Sequence, residues 1–252
     1  MNAGVLPMSD LHAGFGRFAS DGLSDRGKLR DRNEDAILVR EDLGLWAVAD
    51  GLGGHSAGDY ASRAVIERLD ALQRPHDLVE FIEAIEDALR AVNQELRELA
   101  QTRQVDIIAS TVVLLVGAED LAVCGWVGDS RAYGFDGARL AQLTRDHVAS
   151  YDEDEDPSAP GAPMAGGALT RAIGADDELF VDWAVIARRP GQTFVLCSDG
   201  INKEMSDEEI AAECRRHGEP GALARRLLDT ALARAGRDNI SVVTVRRGGA
   251  EP

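Results

Sequence analysis

Short runs of apolar and β-branched residues recur at 36–40, 45–49, 109–116, 121–127, 180–186, 193–198 and 240–245. Several are joined by turn-like segments, such as Gly117 to Asp120, so the runs predict antiparallel strands. After the second run the period changes, and two consecutive helices are predicted at about 56–73 and 77–101. In the second of these, Leu78, Ile82, Ile85, Leu89, Val92, Leu96 and Leu99 advance by alternating steps of four and three, which gathers them on one buried face. Late in the chain Ser206 and Glu209 have the spacing of a capping box. A further helix starts near Pro220, with Leu223, Leu227 and Ala231 on one face. Strand blocks separated by helix pairs, without regular β-α-β alternation, predict an α+β fold whose sheets are covered by helices.

Residues 147–168 (HVASYDEDEDPSAPGAPMAGGA) break this pattern, being acidic and then rich in Pro and Gly, and predict an exposed loop. With 252 residues, 44% of them apolar, and no repeat or long linker, the chain predicts one compact domain. Its expected bounds are 15–247, with a flexible extension at 1–14 and a tail at 248–252. Charge narrows the partners: 27 basic against 44 acidic residues give a net −17, which repels a polyanion and argues against nucleic acid. The start, MNAGVLPMSDLHAGFG, has no basic n-region, and no apolar run reaches the length of a membrane span, so a cytoplasmic location is expected. Cys124, Cys197 and Cys214 show no CxxC pairing, which suggests neither a disulfide framework nor a zinc site. Cys124 and Cys197 lie inside strand-like runs and are expected to be buried packing residues.

The candidate chemistry lies in where the carboxylates fall. Asp50 follows the run LWAVA, Asp129 follows LAVCGWVG and Asp199 follows TFVLCS, whereas Glu34, Asp35 and Asp238 immediately precede strands. When neighbouring strands are antiparallel, the end of one lies beside the beginning of the next, so all of these acids can crowd onto one edge. Crowding is costly without a counter-charge, since two like charges about 4 Å apart repel by roughly 4 kcal/mol at an effective dielectric of about 20. Few basic residues are close in sequence to pair them off. All-oxygen donors point to Mg²⁺ or Mn²⁺ and away from zinc. Glycines accompany the acids at Gly51, Gly53, Gly54, Gly128 and Gly200, either as turn residues or to let backbone and substrate come close.

The blocks SDRGKLRDRNEDA (24–36), VADGLGG (48–54), VGDSRAY (127–133), LTRDH (143–147), LTRAIG (169–174), LCSDGI (196–201) and GRDNISVV (236–243) resemble, in order and spacing, those of the PPM family. These are the type 2C metal-dependent protein serine/threonine phosphatases. The resemblance runs from about Ser24 to Val245. It implies a central antiparallel β-sandwich flanked on both faces by helix pairs, a four-layer α-β-β-α arrangement with metals at one end. It implies hydrolysis of phosphoserine and phosphothreonine by a water bridging two divalent cations, Mn²⁺ or Mg²⁺. Asp50 then bridges the two ions, Asp199 and Asp238 complete one site, and Glu34 with the Gly51 carbonyl helps to build the other. Asp129 with Asp199 matches a weaker third position, Asp35 supports the ligands, and Arg30 grips the phosphate. The implied partners are phosphorylated proteins, opposite a serine/threonine kinase.

The chain also departs from the family pattern. Leu52 stands where many eukaryotic members carry a proton-donating histidine; bacterial members resemble this chain in having an apolar residue there, followed by GGH. His55 is then the nearest ionisable side chain that could protonate the leaving group, or else an ordinary residue at the start of a helix. Bacterial relatives have a helical flap before LTRAIG, where this chain has the acidic, proline-rich segment. That segment, with its run Asp152 to Asp156, is either solvating surface or a selector of phosphoproteins with basic residues near the phosphosite. Two other functions keep the same site: a phosphatase-like module that binds phosphoproteins without cleaving them, and a hydrolase of small phosphates. Loss of a metal carboxylate would mark the first, and none is lost.

Overall fold

The computed structural model describes residues 18–53, 57–149, 168–187, 189 and 191–248. The 1–14 extension, His55 and the run Asp152 to Asp156 lie outside the described residues. Eleven strands are present: β1 (Phe18–Asp25), β2 (Asp35–Arg40), β3 (Leu45–Leu52), β4 (Ala109–Ser110), β5 (Val112–Gly117), β6 (Leu121–Val127), β7 (Arg131–Phe135), β8 (Leu140–Gln142), β9 (Asp182–Ala187), β10 (Thr193–Cys197) and β11 (Ile240–Arg247). The helices are α1 (Gly58–Asp70), α2 (Leu78–Arg103), α3 (Asp199–Asn202), α4 (Asp207–Arg216) and α5 (Pro220–Ala233).

The strands form two antiparallel sheets, ordered β1-β11-β10-β7-β8 and β2-β3-β5-β6-β9, with the short β4 on β3. Between them lies a core drawn from both, including Trp46, Val48, Val113, Leu115, Phe194, Leu196, Val243 and Val245. Alternate residues of the same strands face outward. Leu114 and Val116 meet the α2 stripe, with Ile85, Leu89, Val92 and Leu96, while Val195 and Val242 meet Ile210, Leu223 and Leu227 of α4 and α5. Every residue of β5 is therefore buried, which explains its uninterrupted apolar run. The result is the expected α+β sandwich with helices on both outer faces. Helix α4 begins with the predicted capping box, and Pro220 occupies the first turn of α5.

The predicted run 109–116 is two strands in the structure, broken at Thr111, and the break serves Asp50. The Thr111 N–H donates to the Asp50 carbonyl at 2.8 Å, and Thr111 Oγ1 accepts from the Asp50 N–H at 3.1 Å. Strands β1, β7 and β8 and the single-turn α3 were not predicted, and all three cysteines are buried and free.

The loop from β1 to β2 crosses from one sheet to the other over the end of the sandwich, and one buried side chain ties it down. Asn239 Nδ2 donates to the carbonyls of Arg26 and Arg32 at 2.8 Å each, while Asn239 Oδ1 accepts from the Glu34 N–H at 2.8 Å. Gly27 (φ +74°) makes this closeness possible, because a Cβ there would lie 2.0 Å from the Asp238 carbonyl oxygen. Asn239→Ala would orphan all three partners, and unsatisfied buried groups cost about 1–3 kcal/mol each before solvent enters. The expected loss is about 2–4 kcal/mol in urea unfolding, with an unchanged m-value; a loss below about 0.5 kcal/mol would show that the loop holds itself.

Candidate metal centre

The predicted acids do meet at one end of the sandwich. In the β2–β3 register Asp35 lies directly opposite Asp50. Asp199 opens α3 after β10, Asp238 precedes β11, and the Ser198 N–H, donating to the Ser241 carbonyl at 3.1 Å, locks those two segments together. Arg30, Glu34, Asp50, Gly51, Asp199 and Asp238 line one cleft of about 360 Å³, with Leu52 in its wall. Asp35 lies beneath it, 8% exposed, and Asp129 stands close enough to raise the Asp50 carboxyl by repulsion.

The glycines serve close approach more than turn geometry. A Cβ on Gly51 would lie 1.9 Å from the Gly58 carbonyl oxygen and 2.8 Å from that of Glu34; one on Gly200 would lie 2.0 Å from the Asn239 carbonyl. Of the described glycines in this group, Gly53 (φ +153°) and Gly128 (φ +110°) have positive φ, and Gly51 and Gly200 do not.

Electrostatics records the crowding. Burial, followed by repulsion from Asp35, Asp199, Asp238 and Asp129, holds the Asp50 carboxyl well above the usual carboxylate range. Burial pushes Asp35 up to about 7 against hydrogen bonds from Ser241 and Ser198, and it pushes Asp129 up to about 6 with help from Asp199. Burial also raises Asp199 against the pull of Lys203, and Glu34 against the pull of Arg30. All of these shifts say that negative charge here lacks compensation.

Two protein cations supply part of it. Lys203, one helical turn beyond Asp199, places its ammonium on Asp199 Oδ2 and 3.6 Å from Asp238 Oδ2; Arg30 Nη2 lies 2.8 Å from Asp238 Oδ1. The acids stand in no group of three or more metal-ready side chains among the described residues. Even so, two buried carboxylate oxygens, Asp35 Oδ1 and Asp199 Oδ1, have no partner. Unpartnered anionic oxygens in an all-oxygen cluster fit a hard divalent cation such as Mg²⁺ or Mn²⁺.

Lys203, Asn239 and His147 were missed from sequence. Lys203 had a legible signal, its i,i+4 spacing from Asp199. His147 explains part of the LTRDH and LTRAIG blocks. Its Nδ1 accepts from the Gly128 N–H at 3.1 Å and its Nε2 meets Asp182 Oδ2 at 3.1 Å, while Arg171 holds Asp182 Oδ1 at 3.0 Å. The turn that carries Asp129 is thus anchored to the segment after the acidic loop. Larger concavities of about 730 and 610 Å³ flank Phe180, but Asp177 in both is neutralised by Arg97, so the smaller cleft is the better site on chemistry.

Comparison with known proteins identifies relatives of the chain as a whole. A family model described as protein phosphatase 2C matches residues 29–233. The serine/threonine phosphatase stp of Listeria monocytogenes is 30% identical over 237 residues, covering 89% of this chain and 94% of that one. The solved structure of PppA, described as a key regulatory component of T6SS in Pseudomonas aeruginosa, matches with a TM-score of 0.85 at 35% identity, covering 93% of this chain and 100% of that one. The catalytic domain of PstP, solved in complex with 2 manganese ions, matches with a TM-score of 0.77 at 28% identity over 91% of this chain and 97% of that one.

Because Lys203 lies on the carboxylates that would hold a cation, the two compete. Lys203→Met is expected to lower the melting temperature in EDTA by about 2–4 °C, the effect of roughly 1 kcal/mol in a chain of this size. It is also expected to lower the Mn²⁺ concentration that half-restores stability. Thermal unfolding across a Mn²⁺ titration reads both, and identical curves for the two proteins would show that the ammonium does not act as counter-charge.

Proposed function

The chain belongs to the protein phosphatase 2C family, of which stp and PstP above are named serine/threonine phosphatases, and we propose that it hydrolyses phosphoserine and phosphothreonine in proteins using two divalent cations, Mn²⁺ or Mg²⁺. The observation that carries this reading is the convergence of Glu34, Asp50, Asp199 and Asp238 on one cleft whose buried carboxylate oxygens are only partly compensated.

Asp50, placed between the other acids, would serve both ions, with Asp199 and Asp238 holding one and Glu34 with the Gly51 carbonyl helping to hold the other. Asp129 and Asp199 could hold a weaker third ion. Asp35, hydrogen-bonded to Ser198 Oγ at 2.7 Å, supports Asp50 and Asp199 from below. Paired ions supply Lewis acidity, which lowers the pKa of water and neutralises charge on a phosphoryl group. Phosphate monoesters are among the slowest bonds to break unaided, so such electrostatic stabilisation must supply most of the barrier reduction.

Arg30 is the phosphate grip. Its guanidinium lies in the cleft with its side chain 50% exposed, and although burial opposes its charge, Asp238, Asp50 and Glu34 together hold it firmly cationic. Released from Asp238, the fork of Arg30 would be free to take two phosphate oxygens. Leu52 offers no proton and excludes water from one wall. Among the described residues the cleft lining holds no aromatic ring to stack a base, which favours phosphoproteins over nucleotides. No carboxylate of the set is missing, which favours catalysis over phosphoprotein binding alone. We place the catalytic domain at residues 15–247, in the cytoplasm and opposite a serine/threonine kinase. No helix of the described residues is long and apolar enough to cross a membrane.

Excess EDTA should abolish phosphopeptide hydrolysis, with Mn²⁺ restoring it, and Asp50→Asn or Asp199→Asn should lower kcat by at least about 100-fold. Full turnover in EDTA would sink the metal mechanism. Arg30→Ala should raise KM for a phosphopeptide about tenfold with kcat little changed, because the contact exists in ground and transition states alike. Steady-state kinetics showing both constants unaltered would remove Arg30 from the substrate.

A further inference from the structure

The chain is strongly acidic, yet one margin of the cleft is basic. Residues 26–32 (RGKLRDR), between β1 and β2, carry Arg26, Lys28, Arg30 and Arg32 against the single Asp31. Every charged residue of this loop is exposed. The segment that carries Asp238 packs against it and adds the exposed Arg237.

The loop is held in place by its backbone, and among the described residues only Arg30 of its cations is paired with a carboxylate, that of Asp238. Asn239 clamps the carbonyls at both ends of the loop, the Lys28 N–H donates to the Gly236 carbonyl, and Lys28 Nζ donates to the Arg234 carbonyl, both at 2.8 Å. Several arginines elsewhere sit on carboxylates, as Arg40 does on Asp42 and Asp70, Arg63 on Asp59, and Arg131 on Asp146. Arg32 and Arg237, by contrast, have no carboxylate partner and no side-chain hydrogen bond among the described residues. Arg32 is nonetheless near enough to the cleft to act on the Glu34 carboxyl. The rim therefore joins Arg30, which lines the cleft and pairs with Asp238, to the unpaired charges of Arg32 and Arg237 on neighbouring ordered backbone.

From this we infer that Arg32 and Arg237 determine specificity, selecting phosphoproteins with aspartate or glutamate beside the phosphorylated residue. The inference rests on the phosphatase reading above and deepens it. The net charge of the whole chain does not oppose it, because exposed charges more than about 8 Å away are largely screened at physiological ionic strength, whereas contacts at the rim are not. An ordered loop also loses little entropy when the substrate docks.

The test uses the intact chain with Mn²⁺ and one phosphothreonine peptide in three versions, with acidic, neutral or basic flanks. The acidic version is expected to show a KM about three- to thirtyfold below the basic one at low salt, as two or three exposed ion pairs would give, and the gap should shrink at high salt. In the double variant Arg32→Gln, Arg237→Gln the gap should close to within about twofold, while nitrophenyl phosphate, which has no flanks, is still hydrolysed as by the wild type. Equal KM values, a preference for basic flanks, or an acidic preference that survives the double variant would each overturn the inference while leaving the phosphatase reading intact. Failure to hydrolyse nitrophenyl phosphate and every peptide would instead remove that reading and this inference with it.

Discussion

Everything at the functional end of this molecule follows from one constraint: carboxylates are packed closer together, and buried more deeply, than unassisted ionised groups can be. Asp35 and Asp50 face each other across a strand pair, and Asp199 and Asp238 are brought alongside by the neighbouring sheet. An isolated buried carboxylate answers burial by taking a proton, and the upward shifts at Asp35 and Asp129 are that answer in progress. The alternative is a cation. Lys203 and Arg30 meet part of the demand from within the chain, and a divalent ion would meet it in a form that also performs chemistry.

The antiparallel sandwich makes such a cluster affordable because it confines it to one end. Along their length the strands bury Val, Leu, Ile and Trp on both faces, and that apolar core holds the rigid frame. At the end, the acids hang from backbone that the core and a few buried polar groups have already fixed: Thr111 for Asp50, Ser198 for Asp35, Asn239 for Glu34. Geometry held by packing costs nothing further when a ligand arrives, and such preorganisation is what electrostatic catalysis requires.

What could be read from sequence follows the same division. Strands buried on both faces, such as β5 and β10, announced themselves as continuous apolar runs, and α2 as a strict stripe. The edge strands β1 and β8 did not, because FASDGLSD and LAQ bury too little to show a pattern, and β7 was disguised by Arg131 and Gly134. The acids were legible because each marks a strand end. Their supports were not, since Asn239 meets Glu34 across 205 residues of chain and His147 meets Asp182 across 35. The expectation that few cations lie nearby also fell short: it counted neighbours along the chain, and it overlooked Lys203, whose partnership with Asp199 depends on a single helical turn.

The site thus sorts charge by depth. Uncompensated oxygens lie deepest, at Asp35 and Asp199; Lys203 and Arg30 occupy the middle, half exposed and ion-paired; Arg32 and Arg237 stand unpaired at the surface. A small, strongly charged ion can reach the bottom of such a gradient, while a phosphate dianion, repelled by the acids and drawn to the guanidinium groups, is held above it. Reagent and substrate would therefore be kept apart until they meet beside Arg30 and Lys203, the two described cations that touch both the acid cluster and the open cleft. A chain with a net charge of −17 can consequently receive a doubly negative substrate, because what the phosphate meets first is the local rim and not the average surface.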